Sequence, residues 1–289
     1  MFRKLVFLAA LGALALASLA CGISVQIPVD QIATGPTQTE AIDIPAPDAS
    51  PVSLTLAFGA GKLEVEPGMG DALVTGEATY NVPEFKPKVT VDGGAVRLET
   101  GDLEIKGIPK FGDSIKNQWD LQLGDMLIDL LVQAGAYEGD LELGGLSLNS
   151  LEINDGAANV RVKFSEPNRV KMETLRYSTG ASNVRLVGLA NANFDSMIFR
   201  SGAGDYTLDF SGELQRDMTV TVESGISQVV IVVPEGTSAK VNFSGGMTSV
   251  NTKGQWQKSN GAFVLGSGSG PTITITVDMG AGNLELRSK

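Results

Sequence analysis

From residue 52 onward the chain alternates apolar and polar residues with a period of two, broken at intervals by glycine. The clearest unit is Leu-Glu-Ile-Asn-Asp-Gly-Ala-Ala-Asn-Val-Arg-Val at 151–162. It returns as Leu-Arg-Tyr-Ser-Thr-Gly-Ala-Ser-Asn-Val-Arg-Leu at 175–186 and as Ile-Phe-Arg-Ser-Gly-Ala-Gly-Asp-Tyr-Thr-Leu at 198–208. Further copies run over 220–231 around Gly225, more weakly over 241–250 around Gly245, and over 273–286 around Gly280. An earlier copy turns at Gly135, and an isolated first copy spans 54–65 around Gly59. The turn glycines 135, 156, 180, 202, 225 and 245 are 21, 24, 22, 23 and 20 residues apart.

Period-two alternation puts Leu151 and Ile153, or Val160 and Val162, on one face of a strand and the charged residues between them on the other. Glycine at mid-unit is expected to take a backbone conformation that strains other residues, so the chain bends there. Asn159, Asn183, Asp205 and Asn283, three residues after their glycines, suit a turn. One unit cannot cover its own apolar face, but stacked neighbours can, and about 22 residues is one coil of a β-solenoid. Ser147, Ser178, Ser201 and Ser224, near the corners, are expected to fit tight inward bends. An antiparallel sandwich competes, since its hairpins also recur at short intervals; the even glycine spacing favours stacking. The fold class expected is therefore all-β, a stacked, right-handed solenoid-like repeat with an N-terminal β subdomain.

Between the first copy and the array, 72–82, 88–91 and 95–99 read as strands, and Asn-Gln-Trp-Asp-Leu-Gln-Leu at 117–123 leads into the array. Residues 125–133 have spacing that a short helix would also satisfy, but β units on both sides favour a strand.

The start of the chain differs. Arg3 and Lys4 precede an apolar run at 5–19, and small residues lead to Cys21, the pattern of an export signal. The run is shorter than the roughly 20 residues of a membrane-spanning helix. Ser18-Leu19-Ala20-Cys21 resembles a bacterial lipobox, with Ser18 where Leu is usual, so residues 1–21 are expected to be a lipoprotein signal and Cys21 the lipidated residue. Residues 22–51 hold Pro28, Pro36, Pro45, Pro47 and Pro51 and no Lys or Arg, and read as a disordered tether. The remainder divides into 52–118, an N-terminal β region, and 119–289, the repeat array.

The Asn-Gln-Trp-Asp-Leu-Gln-Leu segment, the Gly-Ala-(Ser/Gly)-(Asn/Asp) turns and Leu-Ser-Leu-Asn-Ser-Leu-Glu-Ile at 146–153 resemble the bacterial toast-rack domain. Residues 54–100 are similar to that family's N-terminal domain. The resemblance implies a solenoid-like fold and a cell-envelope role, as in LiaF-like regulators and adhesin-type proteins, and carries no catalytic residues. The lipobox replaces the several membrane helices of LiaF-like proteins.

Composition narrows the chemistry. The 289 residues carry a net charge of −11, and −13 once residues 1–20 with Arg3 and Lys4 are removed, so a phosphate backbone is an unfavourable partner and no nucleic acid is expected. There is no histidine and one cysteine, which removes His-based triads, intrachain disulfides and His/Cys zinc sites. Gly59-Ala-Gly-Lys62 lacks the spacing of a phosphate loop, and Leu63 stands where a hydroxyl would be needed. Gly266-Ser-Gly-Ser-Gly-Pro271 reads as a turn. Asp205, in Ser-Gly-Ala-Gly-Asp (201–205), is the one candidate calcium donor, but neighbouring units carry Asn183 and Gln228 instead. Glu152, Arg161, Glu173, Arg176, Arg185 and Asp209 fall on outward positions with mixed signs, as on a solvated sheet face. Two tryptophans and four tyrosines supply few sugar-stacking rings, so a glycosidase is a poor fit. No catalytic residue, metal or cofactor is expected. The anticipated partners are the membrane, through the N-terminal lipid, and an envelope protein or polysaccharide met outside the cytoplasm.

Overall fold

The computed structural model describes residues 34–101, 115–266 and 270–289. The signal segment, Cys21, residues 22–33 and the middle of the 266–271 turn lie outside the described residues.

Fifteen strands form one sheet. In chain order they are β1 (Gln38–Pro45), β2 (Val52–Pro67), β3 (Ala72–Tyr80), β4 (Pro87–Asp92), β5 (Ala95–Thr100), β6 (Asn117–Leu123), β7 (Leu127–Glu142) and β8 (Ser147–Lys163). Then follow β9 (Met172–Val187), β10 (Phe194–Asp209), β11 (Met218–Val233), β12 (Ser238–Lys253), β13 (Gln257–Ser259), β14 (Ala262–Leu265) and β15 (Thr272–Ser288). The long strands are the repeats: β2, β7, β8, β9, β10, β11, β15 and β12 lie side by side, all parallel. Residues 125–133 run into β7 and are not helical.

Each rung has two arms joined at a corner glycine. Gly59, Gly135, Gly156, Gly180, Gly202, Gly225, Gly280 and Gly246 stack in one column. The expected reason for glycine needs correction. Of the column only Gly59 has a left-handed backbone, with φ of 76°. At the others the constraint is room: a Cβ on Gly156, Gly180, Gly202 or Gly225 would lie 2.8, 2.5, 2.6 or 2.5 Å from the carbonyl oxygen of the glycine in the rung before. The corner residue in β12 is Gly246, facing Gly280, and not Gly245, which pairs with Met279.

Inward residues form columns across rungs, such as Val160, Val184, Tyr206, Val229 and Leu284, each buried. Removing a Leu or Val side chain of this kind from water contributes about 1.5–3 kcal/mol. The third side of each coil is the connection back to the next rung, where buried asparagines supply hydrogen bonds that no strand partner can. Asn168 brackets the backbone of Leu148, accepting from its N–H at 2.9 Å and donating to its carbonyl at 2.8 Å. Asn191 donates to the Phe164 carbonyl and accepts from the Glu213 N–H. Nothing in the alternation pattern marks these residues.

Two expectations about organisation are revised. β1 lies inside the stretch read as a tether: Ile42 and Ile44 are buried and β1 pairs antiparallel with β3. Prolines on both sides masked a short alternating segment that has apolar area to bury. The 118/119 boundary is not a seam, because β6 crosses it and pairs with both β2 and β3, while β2 pairs directly with β7.

Rung order also departs from chain order. The final strand β15 inserts between β11 and β12, leaving β12 outermost with the β13–β14 hairpin. Its inward residues Ile273, Ile275, Val277, Met279, Leu284 and Leu286 are all buried, whereas the second arm of β12 offers Thr248, Val250 and Thr252. The more apolar rung takes the two-sided position, as the area term favours.

Candidate functional site

Inside the corners, the residue before each column glycine faces in: Ala134, Asp155, Thr179, Ser201, Ser224 and Met279 share one register line. Of the four serines expected there, Ser201 and Ser224 take that place. Ser147 starts its strand opposite Leu127, and Ser178 sits one residue off, with Thr179 facing in instead. Ser201 and Ser224 bond at 2.8 Å, and Ser224 and Ser227 at 2.6 Å. These hydroxyls satisfy one another on the inner side of the bend.

One charged group enters this line. Asp155 accepts hydrogen bonds from Tyr177 at 2.7 Å and from Thr179, with Ser182 at 3.4 Å. Burial pushes its carboxyl above the usual range, against the lowering effect of those three donors. The same burial raises the phenols of Tyr137 and Tyr177. The Tyr137 hydroxyl faces that of Tyr177 without a well-formed hydrogen bond. Asp155 is thus a half-buried acid ringed by hydroxyls beside the column of glycines.

The outer face carries most of the charge. Glu77, Asp120, Glu64 and Asp140 stand directly opposite one another across β3, β6, β2 and β7. Like charges in register oppose pairing by a few tenths of a kcal/mol each. They are partly offset by Lys62, ion-paired to Glu64, and Gln118, which donates to Asp120 at 3.0 Å. A groove of about 550 Å³ runs over this row. Across the array the row continues as Arg161 and Arg185. A second open groove, about 560 Å³, lies along the corner over Ser178, Arg200, Glu223 and Asp278, with Arg200 Nε 2.8 Å from Glu223.

The residues singled out from sequence scatter. Glu152, Arg161, Arg176 and Arg185 lie on outward columns, and Glu173 is exposed near the start of β9. Asp209 is buried, 7% exposed, and held by Lys289 at 2.9 Å, a contact between residues 80 apart in sequence. Asp205 is exposed in a register line with Asn183, Gln228 and Asn283, and Asn283 accepts hydrogen bonds from Ser249 and Asn251 of the outermost rung. Gly59 belongs to the corner column and Lys62 to the outer face of β2. Among the described residues no group of three or more acidic or thiol side chains is arranged to hold a metal, and no helix is long and apolar enough to cross a membrane. Trp119 is buried against Phe58, ring centres 5.1 Å apart.

Comparison with known proteins adds the following. The family model described as "N-terminal domain of toast_rack, DUF2154" matches residues 33–186. No curated protein matches the chain. Among solved structures, a candidate cell adhesion protein from Clostridium sporogenes ATCC 15579 is similar at 16% identity and a TM-score of 0.47, over 88% of this chain and 100% of that one. A candidate adhesin from Bacteroides fragilis NCTC 9343 is similar at 11% identity and a TM-score of 0.36, over 89% and 99%.

Proposed function

The chain belongs to the family defined by the N-terminal domain of toast_rack, and from that premise we propose that it is a non-enzymatic cell-envelope protein that presents its sheet face to a protein or polymer. The observation that carries this reading is the filled interior. Inward columns are filled by apolar side chains, with a few hydroxyls and Asp155 at the corners, so a partner meets chiefly the outer face and the edges. Ordered rows of charge on that face, such as Glu77, Asp120 and Glu64, suit a basic partner and repel acidic ones. The lipobox-like Ser18-Leu19-Ala20-Cys21 supports attachment outside the cytoplasm through a lipid on Cys21, with an adhesin-like role.

Two measurements test this. Capture from an envelope fraction with the Glu64→Gln/Glu77→Gln/Asp120→Asn variant is expected to lose salt-sensitive partners that the unaltered protein retains; equal capture by both sinks the acidic face as the contact surface. Cys21→Ala is expected to release the protein from membranes once the signal is processed, and continued membrane retention rules out the lipid anchor.

A further inference from the structure

We propose that the second arm of β12 is a self-pairing edge, through which two copies of this chain join antiparallel about a two-fold axis at Val250. β12 has β15 along one side for its full length, but on its other side β14 covers only Ala239, Lys240 and Val241. Among the described residues, the second arm therefore presents an unpaired row of backbone donors and acceptors.

Sheet edges are commonly blunted by proline, charge or bulges. β1 ends on Pro45, and β4 begins at Pro87 and carries Lys88 and Asp92. Residues 244–252, Ser-Gly-Gly-Met-Thr-Ser-Val-Asn-Thr, contain neither proline nor charge. Met247 among them is 84% exposed.

The inward side of this arm is incompletely covered, with Val250 half-buried and Thr252 exposed. Thr248, Val250 and Thr252 stand in register with Gly282, Leu284 and Leu286 of the rung beneath. The Thr248 hydroxyl is buried and has no hydrogen-bond partner, whereas the same line holds the bonded Ser182 and Ser227. An antiparallel copy centred on Val250 sets Val250 against its mate, Thr248 against Thr252, and Met247 against Lys253. The first contact extends the apolar core, the second sets two threonine side chains against each other, and no like charges face each other. The bend at Gly246 falls just outside the paired stretch, so both arms are straight where they meet. Self-complementarity of this kind is what a two-fold interface requires. A single strand pair is a small contact, of the transient class below about 1,200 Å².

Sedimentation equilibrium of the full-length protein over a concentration series tests the pairing. The unaltered protein is expected to show a monomer–dimer equilibrium. Val250→Lys and Val250→Glu are each expected to weaken it by roughly tenfold or more, through like charges at the axis, and an equimolar mixture of the two is expected to restore it. A protein monomeric at every concentration reached, or variants that dimerise unchanged, or a mixture no tighter than either variant alone, overturns the proposal. Binding of an unrelated extended peptide to this edge, by a protein that never pairs with itself, overturns it equally.

Discussion

Gly180 lies so close to Gly156 that a methyl group on its Cα would sit 2.5 Å from the Gly156 carbonyl oxygen. That contact recurs along the corner column and sets how near the rungs approach. Gly180→Ala is expected to cost about 1–3 kcal/mol, the range for overpacking a rigid site. Gly280→Ala, where the corresponding distance is 2.9 Å, is expected to cost less. Urea unfolding of both checks the order; equal or negligible losses would mean the corner relaxes freely.

Leu284 and Val250 occupy one inward column on adjacent rungs, yet Leu284 is fully buried and Val250 only half so. Leu284→Ala is expected to cost about 2–5 kcal/mol, and Val250→Ala well below that, because the edge has no closed cavity to leave behind. Comparable losses would place Val250 in a covered core.

β15 separates β11 from β12. Ending the chain after Pro271 removes an internal rung, so the protein is expected to lose cooperative unfolding, with protease cleavage in β12. A truncated chain that melts like the full one would contradict the rung order.

Asp155 titrates above its ordinary 3.8 in the fold because of burial. The unfolded chain therefore ionises first as pH rises, and folding loses stability from about 3.8 upward until the folded carboxyl also ionises. Asp155→Asn removes this loss, so its melting temperature is expected to rise relative to the unaltered protein as pH goes from acid to neutral. A difference that stays constant with pH would show no such linkage.

Glu285 has the opposite sign. Hydrogen bonds from Arg287 and Lys253 hold its carboxyl at about 2, below its ordinary 4.5. Its contribution is fully present above 4.5 and is lost as pH falls toward 2. Glu285→Gln is expected to flatten the acid limb of stability in that window. An unchanged acid limb would mean the ion pairs are screened by solvent.

Much of the architecture was legible in the chain because alternation and glycine spacing are local signals that each rung repeats. The strands read at 72–82 and 95–99, found at 72–80 and 95–100, the rungs and the corner column followed from them. The misreadings share a cause. Gly245 was as good a corner as Gly246, and Ser178 as good as Thr179, because a one-residue choice depends on the carbonyl of the neighbouring rung. Asn168 and Asn191 gave no periodic sign, since each answers a backbone group about 20 or more residues away.

By itself, the sequence determined that the chain is all β, that glycine marks the corner of each rung, that most charge lies outward, and that no histidine is available. Tertiary structure alone decided the order of the rungs, the half-burial of Asp155 and the burial of Asp209, and which edge stays open. Alternation says which face of a strand is apolar, but not which strand will cover it. That choice belongs to the total apolar area buried, which placed β15 inside and left the more polar β12 at the rim.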